Sequence, residues 1–377
     1  MSAIDLSKYD HPPLPEKVEM RLQQIKFNME DELKVDSLVV THLPNIRYLT
    51  NFSGSAATLF ISSDSIHFIT DDRYEEQVKS ELFRLPNMSV HITRDPWGLV
   101  TNGEILKKIE TMAFESDRMT YAETVQIRNS IRPIKMKPAV KPVELYTIAK
   151  SQEELQSIET SCRTAEKVIE IIKPMLVPGV SEKDISAEII YQGRKLGSEG
   201  DAFDVIVVSG ARGALVHGQP SNKIIEKGDI VLIDFGCVVN GFISDLSRTF
   251  AIASATEEQK EVYKLLVAAK ENAIANVRPG MNGKILDAFA RDMIAKAGYG
   301  EYFQHSLGHG IGLVAHEYPF ISFRMDDQII PENSVLAIEP GVYLPGKFGM
   351  RVEDNIIVTK NGGKHITTAP AELEILR

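Results

Sequence analysis

One pattern occurs twice, in approximate form, along this chain. Val177-Pro-Gly-Val-Ser-Glu-Lys-Asp-Ile-Ser-Ala-Glu-Ile-Ile precedes a helix ending near Lys195-Leu-Gly. Arg278-Pro-Gly-Met-Asn-Gly-Lys-Ile-Leu-Asp-Ala-Phe-Ala-Arg precedes one ending near Lys296-Ala-Gly. Each copy reads as a long helix, a Pro-Gly turn, a second helix and then strands. The offset of about a hundred residues is too long for a solenoid repeat. It predicts a duplicated helix-pair-plus-sheet unit with an active site where the halves meet. The alternative is two unrelated helix pairs sharing a common turn.

At 377 residues the chain is long for one core, and roughly 150 residues per domain suggests two. Residues 17–145 alternate helical and strand signals, an α/β pattern. Asp36–His42, Ala57–Ser62 and Phe68–Thr70 read as strands, Tyr74–Leu82 as helical, and Asn45–Gly54 as a loop. The Pro- and Lys-rich stretch Ile134–Val143 is the best linker. Ser151 with Glu154 then forms a capping box opening a long amphipathic helix. The expected domains are 1–145 and 146–377.

A net charge of −10, with dispersed Lys and Arg, argues against nucleic-acid binding. No apolar run approaches the ~20 residues of a membrane span, and Met-Ser-Ala-Ile-Asp-Leu-Ser-Lys is unlike a signal peptide. Two far-separated cysteines, Cys162 and Cys237, suit a reducing compartment, so a cytoplasmic protein is expected. Cys237 reads as a packed strand residue, and His42, His67 and His91 as structural or solvent-facing.

Five ligand-type residues remain, each in a short motif. Asp234 lies in Ile-Asp-Phe-Gly, Asp245 in Ser-Asp-Leu-Ser-Arg-Thr and His309 in Gly-His-Gly-Ile-Gly-Leu. Glu339 lies in Glu-Pro-Gly and Glu353 in Arg-Val-Glu-Asp. Four carboxylates and one imidazole are too many anionic ligands for one divalent ion and about right for two sharing them. Asn240-Gly241 is a strong hairpin signal between the strand-like Asp229–Phe235 and Phe242–Phe250. That turn sets Asp234 opposite Ser247 and Gly236 opposite Asp245. The two aspartates become diagonal neighbours, with β-carbons within about 7–8 Å. Two ions about 3.5–4 Å apart would fit between such carboxylates. Glu339 and Glu353 likewise flank a turn between strand-like segments. The glycines around His309 would let a ligand or metal approach the backbone. His217 and His316 have the look of catalytic groups, though each could be structural. His305 lines a substrate pocket or simply packs.

Together these motifs resemble the pita-bread metallopeptidases, the superfamily of methionine aminopeptidase, Xaa-Pro aminopeptidase and prolidase. The ordered set Asp, Asp, His, Glu, Glu falls on Asp234, Asp245, His309, Glu339 and Glu353. Asn45–Ser55 and Thr70-Asp-Asp-Arg-Tyr resemble the creatinase-like N-terminal domain of the proline-specific branch. The resemblance implies an α+β chain: a creatinase-like α/β domain, then a pita-bread domain with a pseudo-twofold repeat. It implies two divalent ions, Mn2+ ahead of Co2+ or Zn2+, and bridged hydroxide attacking the carbonyl before proline. Glu339 would bind metal and shuttle a proton, while His217 and His316 would polarise the carbonyl or stabilise its oxyanion. His305 would line the proline pocket, Arg351 would orient substrate, and Ser247 would support the aspartates. Proline-containing peptides as partners, and a homodimer, follow from the same likeness.

Dipeptidases of this branch often carry an arginine where this chain has Phe320, and that arginine can clamp a dipeptide's carboxylate. The expectation is therefore an Xaa-Pro aminopeptidase, with the Xaa-Pro dipeptidase as alternative. Arg324 is a possible substitute clamp. Binding members of the fold usually lose metal ligands, whereas all five stand here. A two-metal phosphoesterase would need a basic clamp that the motifs lack.

Overall fold

The computed structural model describes residues 4–377. These form two compact units that divide after Thr147.

The first unit is built on a six-stranded sheet. Its order is Met88–Ile92, Ile66–Thr70, Ala57–Ser62, Ser37–Val40, Thr111–Glu115 and Lys135–Ala139. Ser37–Val40 pairs antiparallel with Ala57–Ser62 and parallel with Thr111–Glu115, so the sheet is mixed. Leu38, Val39 and Val40 are wholly buried at its centre.

Three expectations for this unit are corrected. Asn45–Thr50 is not loop but part of the helix Leu43–Thr50, with Pro44 in its first turn and left-handed Asn51 closing it. Ile46 and Leu49 are buried, and Asn45 donates to Glu115 Oε1 at 2.7 Å. A helix of barely two turns is too short to display its period. The expected linker contains the edge strand Lys135–Ala139, parallel to Thr111–Glu115. An edge position tolerates the missing N–H of Pro138. Within Tyr74–Leu82 only Val78–Glu81 is α-helical.

The second unit carries the repeat, and its halves match in detail. Helix Gln152–Ile172 is followed by Glu182–Lys195, and Glu257–Asn276 by Gly283–Lys296. Ser151–Glu154 and Thr256–Gln259 are reciprocal capping boxes. Gly179 and Gly280 turn the chain at φ of 102° and 82°. Gly179 N then donates to Ile225 O, and Gly280 N to Ile330 O. Ile225 N and Ile330 N return bonds to Val180 O and Met281 O. Two unrelated helix pairs would not share these loop contacts, so the duplication reading stands.

Each helix pair covers one face of a sheet. The first sheet runs Glu374–Leu376, Leu246–Ile252, Ile230–Phe235, Ile206–Ser209. Ile169 and Ile172 pack there with Val231, Ile233 and Phe250, and the free thiol of Cys237 lies in the same core. The second sheet runs Glu317–Ile321, Gly308–Gly310, Val335–Ile338, Asp354–Thr359, Gly362–His365. Leu266 and Leu286 pack there with Leu336, Ile338, Ile356 and Val358. Side chains alternate along a strand. With Ile233, Ile338 and Ile356 facing the helices, Asp234, Glu339 and Asn355 must face the other way.

Gly236 sits where the first hairpin narrows. A β-carbon there would lie 1.9 Å from the Ser244 carbonyl oxygen and 2.8 Å from Ala202 Cβ. Gly236→Ala is therefore expected to cost about 1–3 kcal/mol, the usual range for overpacking. Denaturant unfolding measures this. An unchanged midpoint would mean that the hairpin relaxes freely at this point.

Candidate active site

Backbone register brings the acids together. Asp234 pairs with Ser247, and Val239 with Phe242, so one register runs to the Asn240-Gly241 turn. Both turn residues have positive φ, at 51° and 77°. Asp234 and Asp245 are thus diagonal neighbours, as the turn predicts. In the other half Ile338 pairs with Asp354 and Gly341 with Arg351. Glu339 and Glu353 therefore face each other where the ribbon Gly341–Leu344/Phe348–Arg351 leaves the sheet. Each acid pair sits at an interruption of its ladder.

His309 lies on the short strand Gly308–Gly310, opposite Ala337. Its flanking glycines serve strand packing rather than ligand approach, correcting the sequence expectation. A β-carbon at Gly308 would lie 1.9 Å from Ala337 O, and at Gly310 2.2 Å from Tyr318 O. The His309 Nδ1 lies 3.1 Å from the Gly310 carbonyl, which can only accept. Nδ1 therefore carries the proton, and Nε2 offers a lone pair to the acids. Nε2 is 3.7 Å from both Asp245 Oδ2 and Glu339 Oε1. Ligand atoms of Asp245, His309 and Glu353 all lie within 4.8 Å of one another.

Contacts between the sheets hold this arrangement. Ser247 Oγ donates to Glu353 Oε2 at 2.9 Å, and Glu353 N to Ser247 O at 3.2 Å. Asn355 accepts from Asp245 N at 3.0 Å and donates to Asp245 O at 2.7 Å. Arg351 donates to Ser247 Oγ at 2.8 Å and Tyr343 OH at 2.6 Å, and it ion-pairs with Asp234. Its Nε is 3.8 Å from Glu339. Tyr343 and Asn355 escaped the sequence reading. The signal for Asn355 was a polar residue opening the apolar run Ile-Ile-Val; Tyr343 offered none.

The electrostatic cost is large. Burial, then the charge of Glu353, pushes Asp245 well above the carboxylate range. Glu339 is raised for the same two reasons. Burial, then Asp234, raises Glu353 to about 8. Burial lowers His309 and His305 to about 3. Asp234 Oδ1 and Glu353 Oε1 are buried without any hydrogen-bond partner among the described residues. Such groups call for a cation.

Asp234, Asp245, His309 and Glu339 border a cavity of about 660 Å3, with His217, His316 and Phe320 also on its walls. His217 and His316 are solvent-exposed there. The His316 ring meets that of His309 edge-on, with centroids 4.3 Å apart. His305 Nε2 lies 2.9 Å from Tyr343 OH. Arg324 is exposed, stacks on Phe323 and does not line the cavity, so it is no substitute clamp here. Glu353 lies behind the cavity wall rather than on it.

Comparison with known proteins matches residues 156–360 to metallopeptidase family M24 and residues 21–145 to the creatinase/prolidase N-terminal domain. A Pyrococcus horikoshii Xaa-Pro dipeptidase is 34% identical over 91% of this chain and 95% of its own length. The structure of a Bacillus anthracis Xaa-Pro dipeptidase superimposes with a TM-score of 0.89 at 35% identity, covering 95% of this chain and 100% of that one. A Thermotoga maritima X-Pro aminopeptidase gives 0.86 at 34%, covering 94% and 99%. The chain belongs to metallopeptidase family M24, in its prolidase branch, with a creatinase-type N-terminal domain preceding a pita-bread peptidase domain.

Proposed function

We propose that this chain hydrolyses the bond before proline, with Xaa-Pro dipeptides as its first substrates. The observation carrying this reading is the buried cluster of four carboxylates and one histidine beside an open cavity. Dipeptidase is the name borne by both the Pyrococcus relative and the Bacillus structure. This places the dipeptidase ahead of the aminopeptidase expected from the sequence. One observation favours the aminopeptidase as a second reading: Phe320 borders the cavity where a carboxylate clamp would stand.

Asp234, Asp245, His309, Glu339 and Glu353 would hold two divalent ions. The orphaned oxygens of Asp234 and Glu353 and the lone pair of His309 suit them. An oxygen-rich donor set of this kind favours Mn2+ chemically, with Co2+ or Zn2+ possible. When bound, such ions acidify water and polarise a carbonyl.

The protein's own groups would do the rest. Glu339 is the most accessible acid of the cluster, with 17% side-chain exposure against 7% for Asp245. It is best placed to take a proton and pass it to the departing proline nitrogen. His217 and His316 would each donate an N–H to the oxygen that gains charge at the carbonyl. His305, held by Tyr343, would line the proline pocket. Arg351 would keep Asp234 and Ser247 in place. The family resemblance supports a homodimer, which sedimentation would test.

Metal-stripped protein resupplied with Mn2+ should cleave Ala-Pro faster than Ala-Pro-Ala-Ala. Asp245→Ala should lower the rate by roughly 1,000-fold or more. The opposite substrate order would select the aminopeptidase, and cleavage of neither would remove the proline-peptidase reading. Phe320→Arg should move preference further towards the dipeptide.

Metal and pH should be linked through stability. Glu353 titrates near 8 in the fold against 4.5 for a free carboxyl. The folded state thus keeps a proton that the unfolded chain releases. That stabilisation is complete below pH 4.5 and is lost as pH rises through about 8. His305 and His309 act oppositely, but only below their ordinary 6.5. Between pH 6.5 and 8 the metal-free protein should therefore lose thermal stability, and Mn2+ should restore it most near pH 8. A metal-free Tm that is level or rising across this interval would contradict the electrostatic account.

A further inference from the structure

Among the described residues His316 makes no side-chain hydrogen bond, and its ring meets that of His309 edge-on. Its position must therefore come from the segment 311–316, which projects from the sheet beside the cavity. That segment has few anchors. Ile311 N donates to Val335 O at 3.1 Å, and Ile243 N to Gly312 O at 2.9 Å. Beyond Gly312 the backbone is caught by one side chain, Glu317, the residue following His316. Glu317 Oε2 accepts from Leu313 N at 3.1 Å.

Glu317 is itself held by Lys150. The ammonium pairs with Oε1 and donates to Ile148 O at 3.1 Å. The side chains of Lys150 and Glu317 are only 2% and 5% exposed. The lysine backbone is fixed in turn, with Lys150 N donating to Asn333 O at 2.9 Å. The pair packs closely on Gly312, where a β-carbon would lie 2.7 Å from Glu317 Oε1 and 2.8 Å from Lys150 Cε and would have to displace them. A buried ion pair is a costly way to close a loop, and a hydrophobic pair of similar volume often does so equally well. What the charged pair adds is direction. Glu317 must point one oxygen at Lys150 and the other at Leu313, which fixes the backbone on both sides of His316.

We propose that Lys150 and Glu317 form a clasp that positions His316 over the cavity, making both positioning residues for the peptidase reaction. This rests on the reading of His316 as a substrate contact. Lys150 follows directly on the division between the units, so nothing in the motif around His316 points to it.

The test uses the metal-loaded full chain. Lys150→Met with Glu317→Gln removes the ion pair without leaving a lone buried charge, and so guards against simple unfolding. The double variant should keep KM within about threefold and lose roughly 10- to 100-fold in kcat, the effect of misplacing a group by about an ångström. In a His316→Ala background the same pair of changes should cost almost nothing further. An equal loss in both backgrounds would mean additive effects and would overturn the proposal.

Amide hydrogen exchange across 311–317 supplies a readout independent of activity. The double variant should exchange faster there and unchanged across the Asp234–Asp245 hairpin. Unchanged exchange across 311–317 would overturn the clasp. If the wild type cleaves no Xaa-Pro peptide, the reading of the site fails, and the exchange result still decides whether the pair holds the loop.

Discussion

Four carboxylates packed into one buried cleft repel one another, and everything around them serves to hold them there. Arg351 faces Asp234 and Glu339, yet one guanidinium cannot balance four acids. The shortfall is visible in the raised titration of Asp245, Glu339 and Glu353. A flexible site would relieve such strain by swinging its acids to water. Here the acids stand on or directly beside paired ladders whose hydrogen bonds would have to break first. Backbone pairing therefore holds the repelling acids where a cation would relieve them.

The duplication explains how one cleft receives acids from two sheets. Each half contributes an antiparallel pair whose ladder is interrupted where an acid projects. Across the gap, Asn355 gives and takes a hydrogen bond with the Asp245 backbone, acting as a one-residue strand. Behind it Arg248 and Lys270 converge on Asp354, the neighbour of Glu353. The helix Glu257–Asn276 thus reaches the layer that bears Glu353 through a buried lysine. Those two cations also occupy the group Glu271, Asp354 and His365, whose spacing would otherwise suit a metal.

The sequence was most legible where local chemistry dictates geometry. Asn240-Gly241 admits one tight turn, so a register could be counted from it and Asp234 placed opposite Ser247. Capping at Ser151 and the Pro-Gly turns were equally local. Legibility failed where tertiary packing overrides composition. Pro and Lys at 134–143 suggest a solvated linker, but an edge strand needs partners on one side only. Glycines beside His309 suggest an open approach, whereas the backbones of the two neighbouring strands crowd them. The role of Tyr343 could not be foreseen, because its hydroxyl matters only once Arg351 and His305 converge on it.

Chemistry and specificity are carried by different parts of this architecture. Asp234 and His309 lie within strands and the other three acids beside strand ends, so the paired ladders on either side hold all five. Phe320 faces His309 from an edge strand at the cavity wall. A wall position of that kind can change without unpicking the ladders beneath. That separation is why a dipeptidase and an aminopeptidase can stand at nearly equal distance from this chain, with TM-scores of 0.89 and 0.86. Overall likeness reports the shared fold. Phe320 stands on the wall of that cavity, where a side-chain change would alter what the cleft admits without altering the overall fold.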